Sequence, residues 1–423
     1  MKVVYLNTYD NKGGAALACY RLYEAMAKSN TIFPSFLVNK KYSNDSQIVS
    51  LSDTKLNNMI SDSRFALEKF FFLFAEQSKA VRFDFSTASL GADISEHPLI
   101  READIVHIHW INQGFLSLKS VEKLAVLNKP IVWTLHDMWP MTGGCHNSGR
   151  CHRYKNQCGR CPFLAKPSPK DLSHRIWSRK NEIYQKLNLS IVTPSQWMAE
   201  NVKASSLLQK NQLQRIPNTL DTNIFYPSDK KDARDKLDLC QNSYYLAFIA
   251  QIPSKPNKGF YYLKKGLEIL ASENPSLREQ IELLVIGNVK DDILSHFPFS
   301  VRSSGYITDT KKMADYYRAA HLFILPSLEE NLPNTIMEAM ACGTPSVAFN
   351  VGGIPEMIDH KRTGYLAEYK SSADLANGVR WHMDQDKGQD KPFNNALAKF
   401  NSAFHPEIIA RHHKDLYHSI IDK

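Results

Sequence analysis

The stretch from Phe323 to Phe349 leaves the chain few folds to choose from. Phe323-Ile324-Leu325 is a short apolar run suited to a buried strand, and Pro326 ends it. An acidic turn follows. Asn334 and Thr335 can cap a helix, and Thr335 to Met340 is built of good helix formers. Cys342-Gly343-Thr344-Pro345 then stops the helix, and Ser346-Val347-Ala348-Phe349 resumes extended chain. Strand, loop, helix, turn and strand in this order make one unit of a parallel sheet. A helix that begins where a parallel strand ends presents N–H groups and a positive dipole to an anion. Glu338, one turn into the helix, can accept from ribose hydroxyls, while Glu330 reaches a second group from the loop. Taken as an isolated pair, the two glutamates would do no more than complement the helix dipole.

The same alternation recurs on both sides. Tyr244 to Ala250 reads as a strand, and Lys258-Gly259 sits in the loop before a helix from Phe260 to Ala271. A lysine beside a glycine there suits a diphosphate as a point charge. Ile281 to Gly287 and Val301 to Ile307 are further strands, and Val351-Gly352-Gly353-Ile354-Pro355-Glu356 is a turn and helix start. In the first half, Val3 to Leu6 is a strand, followed by Gly13-Gly14 and a helix from Ala15 to Lys28. Glycines at such a turn let a ligand approach the backbone. Asp104 to Trp110 (DIVHIHW) alternates apolar and polar residues, and Ile131 to Leu135 is a strand with His136-Asp137 at its C-terminal end. Parallel sheets bind ligands at those ends, and a histidine there can move a proton near neutral pH. His136 is the leading candidate, Asp137 and His109 are acceptor-side candidates, and His107 is weaker.

With 423 residues, 43% hydrophobic and 22% charged, the chain suits a globular protein of two domains. No apolar run approaches the ~20 residues that span a bilayer, and the expected location is cytoplasmic. The net charge of +9 is local: Arg150 to Lys186 holds ten basic residues against Asp171 and Glu182. Such a block attracts an anionic membrane surface or a pyrophosphate-bearing substrate. No nucleic-acid-binding signature accompanies it, so nucleic acid is not an expected partner. The helical pattern from Leu56 to Arg82 carries Phe70-Phe71-Phe72-Leu73-Phe74 between basic residues, which suits either a membrane interface or burial against the sheet.

Within the basic block lie Cys145, Cys151, Cys158 and Cys161, four of the seven cysteines within 17 residues. A C-x-x-C with two more thiols upstream offers a tetrahedral ligand set, with His146 and His152 as substitutes. A structural zinc ion, an iron–sulfur cluster and free or paired thiols all remain open.

Glu330, Glu338 and Ala339-Met340-Ala341-Cys342-Gly343-Thr344-Pro345 resemble, position by position, the paired-glutamate signature of retaining GT-B glycosyltransferases of family 4. Lys258-Gly259, Gly352-Gly353-Ile354-Pro355-Glu356, Ser195, and Ile216-Pro217-Asn218 with Asp221 stand in the places of that family's other elements. Family members place an arginine shortly before the Lys-Gly pair. Here Gln251 stands near that place, with Lys255 the nearby cation. The resemblance implies an α/β protein of two Rossmann-like doubly wound domains facing across a cleft. The expected limits are 1–220 for an acceptor-side domain with a Cys-rich insertion at 143–186, 221–243 for a polar, charged linker that includes a helix, 244–395 for a nucleotide-sugar domain, and 396–423 for a C-terminal helix that returns to the first domain. It further implies that Glu338 holds ribose, Lys258 and the N–H groups near Asn334-Thr335 the diphosphate, and Glu330 the sugar hydroxyls. Gly13, Gly14 and His136 lie near the donor. The implied activity is retaining transfer from a UDP- or GDP-sugar to a saccharide or lipid-linked acceptor in surface-polysaccharide synthesis. The donor loop has no Asp-x-Asp, so donor chemistry needs no added metal. A nucleotide-sugar epimerase, another GT-B enzyme, or an inactive sugar-binding assembly subunit are the competing readings.

Overall fold

A computed structural model describes the chain except residues 253–254, 290–293, 386–390 and 423. It divides into two compact units, Met1–Pro217 with Ile409–Lys423, and Asn218–Ile408. Each is built on one parallel sheet.

The first sheet has seven strands: β1 (Lys2–Tyr9), β2 (Phe33–Lys40), β3 (Ile48–Ser50), β4 (Ile105–Ile108), β5 (Ile131–Thr134), β6 (Leu189–Thr193) and β7 (Gln212–Arg215), ordered β3-β2-β1-β4-β5-β6-β7. The second has six: β8 (Tyr244–Ile249), β9 (Ile281–Ile286), β10 (Ser300–Gly305), β11 (Leu322–Leu325), β12 (Ser346–Phe349) and β13 (Gly364–Ala367), ordered β10-β9-β8-β11-β12-β13. Both orders reverse once, between β1 and β4 and between β8 and β11. In a doubly wound sheet the loops leaving the strands splay apart at that reversal, and ligands bind there.

The inner strands are apolar because both faces are covered, whereas the edge strands β7 (QLQR) and β10 (SVRSSG) are polar and partly exposed. On β1, Val4 and Leu6 join a core with Val106, Ile108 and Trp133. Val3 and Tyr5 point the other way, to Leu22, Met26 and Phe36. In the second domain, Ala247 and Phe323 pack with Ile336 and Met340 on one face, while Leu246 and Ile324 meet Leu263 and Leu267 on the other.

Three sequence expectations change. Residues 221–243 belong to the second domain rather than linking two: the expected helix is there, Lys230–Lys236, but Ala233 is fully buried and Arg234 turns inward to donate to the Ala319 carbonyl at 3.2 Å. The second domain also extends past 395. The Lys391–Ala403 helix places Ala396 and Phe400 in that domain's core, and only the following helix, Pro406–Ile421, packs on the first sheet. There Tyr417 Oη lies 2.9 Å from Tyr5 Oη and 2.7 Å from His107 Nδ1. The third concerns the aromatic run in the Lys55–Leu73 helix. Phe72 alone is buried, stacked on Phe85 at 4.8 Å between ring centres, whereas Phe70, Phe71 and Phe74 are 52%, 61% and 78% exposed. No helix among the described residues is long and apolar enough to cross a membrane.

Candidate active site

The second domain gathers its candidates at the β8–β11 reversal. After β8 the chain makes a short 3-10 turn, Pro256–Lys258, and Gly259 takes φ +69° before the Phe260–Glu273 helix. A Cβ on Gly259 would stand 1.7 Å from the Pro326 carbonyl oxygen, so only glycine lets this turn lie against the end of β11. The Leu328 amide donates to the Asn257 carbonyl at 2.8 Å and ties the two loops together. Lys258 Nζ thereby reaches Glu330 Oε1 at 2.7 Å, with 31% and 17% of the two side chains exposed. Lys255 is exposed and forms no side-chain hydrogen bond or ion pair with these two residues among the described residues.

Gly352 and Gly353 hold Glu330 from behind. The Gly353 amide donates to the Glu330 carbonyl at 3.2 Å. Gly352 has φ +59°, and a Cβ there would lie 1.8 Å from the same oxygen. The Gly-Gly pair, which the sequence marked only as a turn, is a cradle for a glutamate 22 positions earlier. That distance in sequence hid its purpose.

The helix after this loop is Asn334–Ala341, one residue earlier than expected. Its N-cap is Pro333, and no side chain caps it. Asn334 and Thr335 therefore do not cap; both stand in the first turn, and Asn334 Oδ1 accepts from Asn218 Nδ2 at 3.2 Å. Pro333 has no side-chain acceptor, so at this N-cap it leaves the first-turn amides without a side-chain cap. The uncapped start aims amides and dipole toward the loop that carries Glu330. Glu338 follows on this helix, buried, with Oε2 accepting from Tyr317 Oη at 2.8 Å. This fixed carboxylate, the Lys258–Glu330 pair and an open helix start supply acceptors for hydroxyls and positive potential for phosphate within one domain.

The first domain has its own set at the β1–β4 reversal and the neighbouring strand end. Gly13 takes φ +95° at the start of the Gly14–Ala27 helix, and nothing lies within 4 Å of where its Cβ would be. A side chain there would meet open space, so backbone conformation is what calls for glycine. His136 Nε2 lies 2.8 Å from His109 Nδ1, with the rings stacked 5.1 Å apart. Burial pushes His136 down to about 4, partly opposed by the Asp137 charge, so its imidazole is neutral at pH 7. His109 is 3% exposed and packs against His136. His107 is structural: its ring nitrogens engage Tyr417 and Thr134, each at 2.7 Å. Asp137 is also committed. Its carboxylate accepts from Trp110 Nε1 at 2.9 Å, His146 Nδ1 at 2.7 Å and the Trp139 amide at 2.8 Å. Burial alone would raise its carboxyl, but His146 and these donors outweigh burial and hold it below the usual range. His146 is thus a partner of Asp137, and Ser195 is a helix cap whose Oγ accepts from the Met198 amide at 3.0 Å. His109 behind His136 is what sequence reasoning underread; the His-x-His of β4 was the available signal.

The same first domain brings Cys145, Cys151, Cys158 and Cys161 around one cavity of about 20 Å³.

Comparison with known proteins agrees with this geometry. The model described as Glycosyltransferase Family 4 matches residues 68–224, and that described as Glycosyl transferases group 1 matches residues 244–385. A D-inositol 3-phosphate glycosyltransferase of Paenarthrobacter aurescens is 25% identical over 65% of this chain and 63% of its own length. WcaC of Escherichia coli K12, named for colanic acid biosynthesis, is 26% identical over 60% of this chain and 62% of its own. The match thus spans just under two thirds of either relative. Anabaena Alr3699/HepE, solved in complex with UDP-glucose, shares the fold with a TM-score of 0.63 at 17% identity, over 99% of this chain and 100% of that one. Two parallel-sheet α/β domains of this order, each carrying its half of the family's models, place the chain in the family 4 glycosyltransferases of GT-B fold.

Proposed function

We propose that the chain is a retaining glycosyltransferase that moves a sugar from a nucleotide-diphosphate sugar, UDP- or GDP-linked, to a saccharide or lipid-linked acceptor in surface-polysaccharide synthesis. The observation that carries this reading is the second domain's cluster: Lys258 paired with Glu330 at 2.7 Å beside the uncapped start of the helix that bears Glu338. Glu338 takes the ribose hydroxyls. Lys258 and the amides of Asn334 and Thr335 take the diphosphate, and Glu330 takes hydroxyls of the transferred sugar. His136, neutral, contacts the donor sugar as a hydrogen-bonding group, oriented by His109.

Catalysis then rests on charge stabilisation. As the glycosidic bond breaks, negative charge grows on the diphosphate and positive charge on the sugar ring. The fixed ammonium and helix dipole favour the first, and they need no rearrangement at the moment of reaction. With these cations in place and no Asp-x-Asp in the donor loop, donor turnover is expected to persist in EDTA. HepE was solved with UDP-glucose and WcaC is named for colanic acid biosynthesis, which supports the donor class and the polysaccharide setting. The exposed Phe70, Phe71 and Phe74, together with the net positive charge, support docking at an anionic membrane surface, where a lipid-linked acceptor would be found.

A thermal-shift screen against UDP-, GDP- and dTDP-sugars tests the donor assignment. A donor at 100 times its dissociation constant adds ~2.7 kcal/mol of stability. No shift with any of the three classes at millimolar concentration would reject the reading.

A further inference from the structure

We propose that Cys145, Cys151, Cys158 and Cys161 form a structural zinc site in the first domain. The four cysteines line one cavity together with Gly143, Phe163 and Ser173. Four thiols converging on one cavity are a donor set of the kind that holds a tetrahedral zinc ion. Three of the thiols are buried, and the half-buried Cys151 leaves a way in. All seven cysteines of the chain are unpaired.

The backbone is shaped around the sulfurs. The Gly143 amide donates to Cys158 Sγ at 3.1 Å, and the Phe163 amide donates to the Cys161 sulfur. Gly143 cannot be larger, because a Cβ would stand 2.2 Å from the Ser173 carbonyl oxygen and 2.8 Å from Cys158 Cβ. These amide–sulfur contacts only partly offset the burial that pushes the Cys158 and Cys161 thiols up.

Lys180 is a second, independent sign. Its ammonium is fully buried, lies 3.4 Å from the Trp139 ring centre, and donates to the Trp139 carbonyl and, at 3.0 Å, to that of Thr142. It forms no ion pair with a carboxylate at salt-bridge distance among the described residues, and the Cys158 and Cys145 sulfurs are within its electrostatic reach. Burial pushes this lysine down to about 7, while the Cys158 and Cys145 sulfurs and the Asp137 carboxylate favour its charged form. Four thiolates around Zn²⁺ carry a net charge of −2 and would favour that form further.

The site also has something to hold. Between Thr142 and Asp171 the regular structure consists of one three-residue 3-10 turn, Arg153–Lys155. The segment is tied to its domain by hydrogen bonds such as Ser86 N–H to the Gly144 carbonyl at 2.8 Å and by the buried side chains of Tyr154 and Leu164. A metal held by four of its side chains would fix its turns to one another. Among the described residues no group of three or more His, Cys, Asp or Glu is arranged to hold a metal as it stands, so the thiols must turn inward to take one.

Metal analysis of the full chain purified without chelator tests this. The expected result is about one equivalent of zinc per chain. Cobalt exchanged into the site should give a sulfur-to-cobalt charge-transfer band. Cys158→Ser with Cys161→Ser should abolish both, while Cys240→Ser, at an exposed thiol elsewhere, leaves both intact. Iron with inorganic sulfide, or less than about half an equivalent of zinc together with no cobalt–thiolate band in the wild-type chain, overturns the proposal. The wild-type cobalt spectrum decides the matter even if the double variant does not fold. None of these readouts depends on glycosyl transfer.

Discussion

Lys258→Met separates the two duties a lysine in this place can have. Its ion pair with Glu330 is short, 2.7 Å, but 31% of the lysine and 17% of the glutamate side chain are exposed. Pairs with this much solvent are worth ~0.2–1 kcal/mol. For a domain of this size that is a loss of at most about 2–4 °C in Tm. The functional loss is expected to be larger. A charge-assisted hydrogen bond to a diphosphate contributes ~1.5–3 kcal/mol, or about 10- to 150-fold in kcat/KM. Urea unfolding should show the small effect and donor titration the large one, and Lys258→Arg should restore part of the binding. Donor affinity within about threefold of wild type, with stability reduced as estimated, would mean that Lys258 is a structural ion-pair partner only, and the donor assignment would fail.

Gly352→Ala should impair donor turnover and stability together, because its Cβ would stand 1.8 Å from the Glu330 carbonyl oxygen at φ +59°. Gly305→Ala has a similar φ of +68° with nothing within 4 Å, so it should carry only the left-handed cost of ~1–2 kcal/mol and spare activity. Equal activity in the two variants would refute the cradle. Acid should destabilise the first domain. His107, His109 and His413 are buried, and burial, first among the causes, lowers all three, His413 to about 3. A lowered folded pKa gives stability that is complete above the unfolded value of ~6.5 and is lost as pH falls below it toward the folded values. Unchanged urea stability between pH 7.5 and 5.5 would show that these rings are hydrated. Finally, the chain should float with anionic liposomes at low salt, and Phe70→Ser with Phe71→Ser and Phe74→Ser should weaken this; wild type that stays at the bottom of the gradient rejects the membrane surface.

What the sequence made legible was whatever depends on neighbours along the chain. Apolar runs between glycines gave both parallel sheets, and the Glu330–Glu338 spacing with Lys258-Gly259 gave the donor cluster. What stayed hidden depends on contacts between distant positions. Gly352 looked like a turn until its approach to Glu330 was visible, and His109 looked like a cleft residue until its ring lay behind His136. Residues 221–243 read as a linker with a helix because they are polar and charged, and of the two carbonyls that Arg234 donates to, Gln241 and Ala319, the second lies far along the chain. Phe70 to Phe74 kept two readings because periodicity does not say which face of a helix a domain covers, and Phe72 alone is covered.

The central claim is that the second domain binds a nucleotide-diphosphate sugar through Lys258, Glu330 and Glu338. Isothermal titration of UDP- and GDP-sugars into the full chain addresses it directly. One of the two should bind at a single site, and Glu338→Ala and Lys258→Met should each weaken it about tenfold or more. Undiminished binding in both variants, or no binding of either donor to the wild-type chain, would contradict the account.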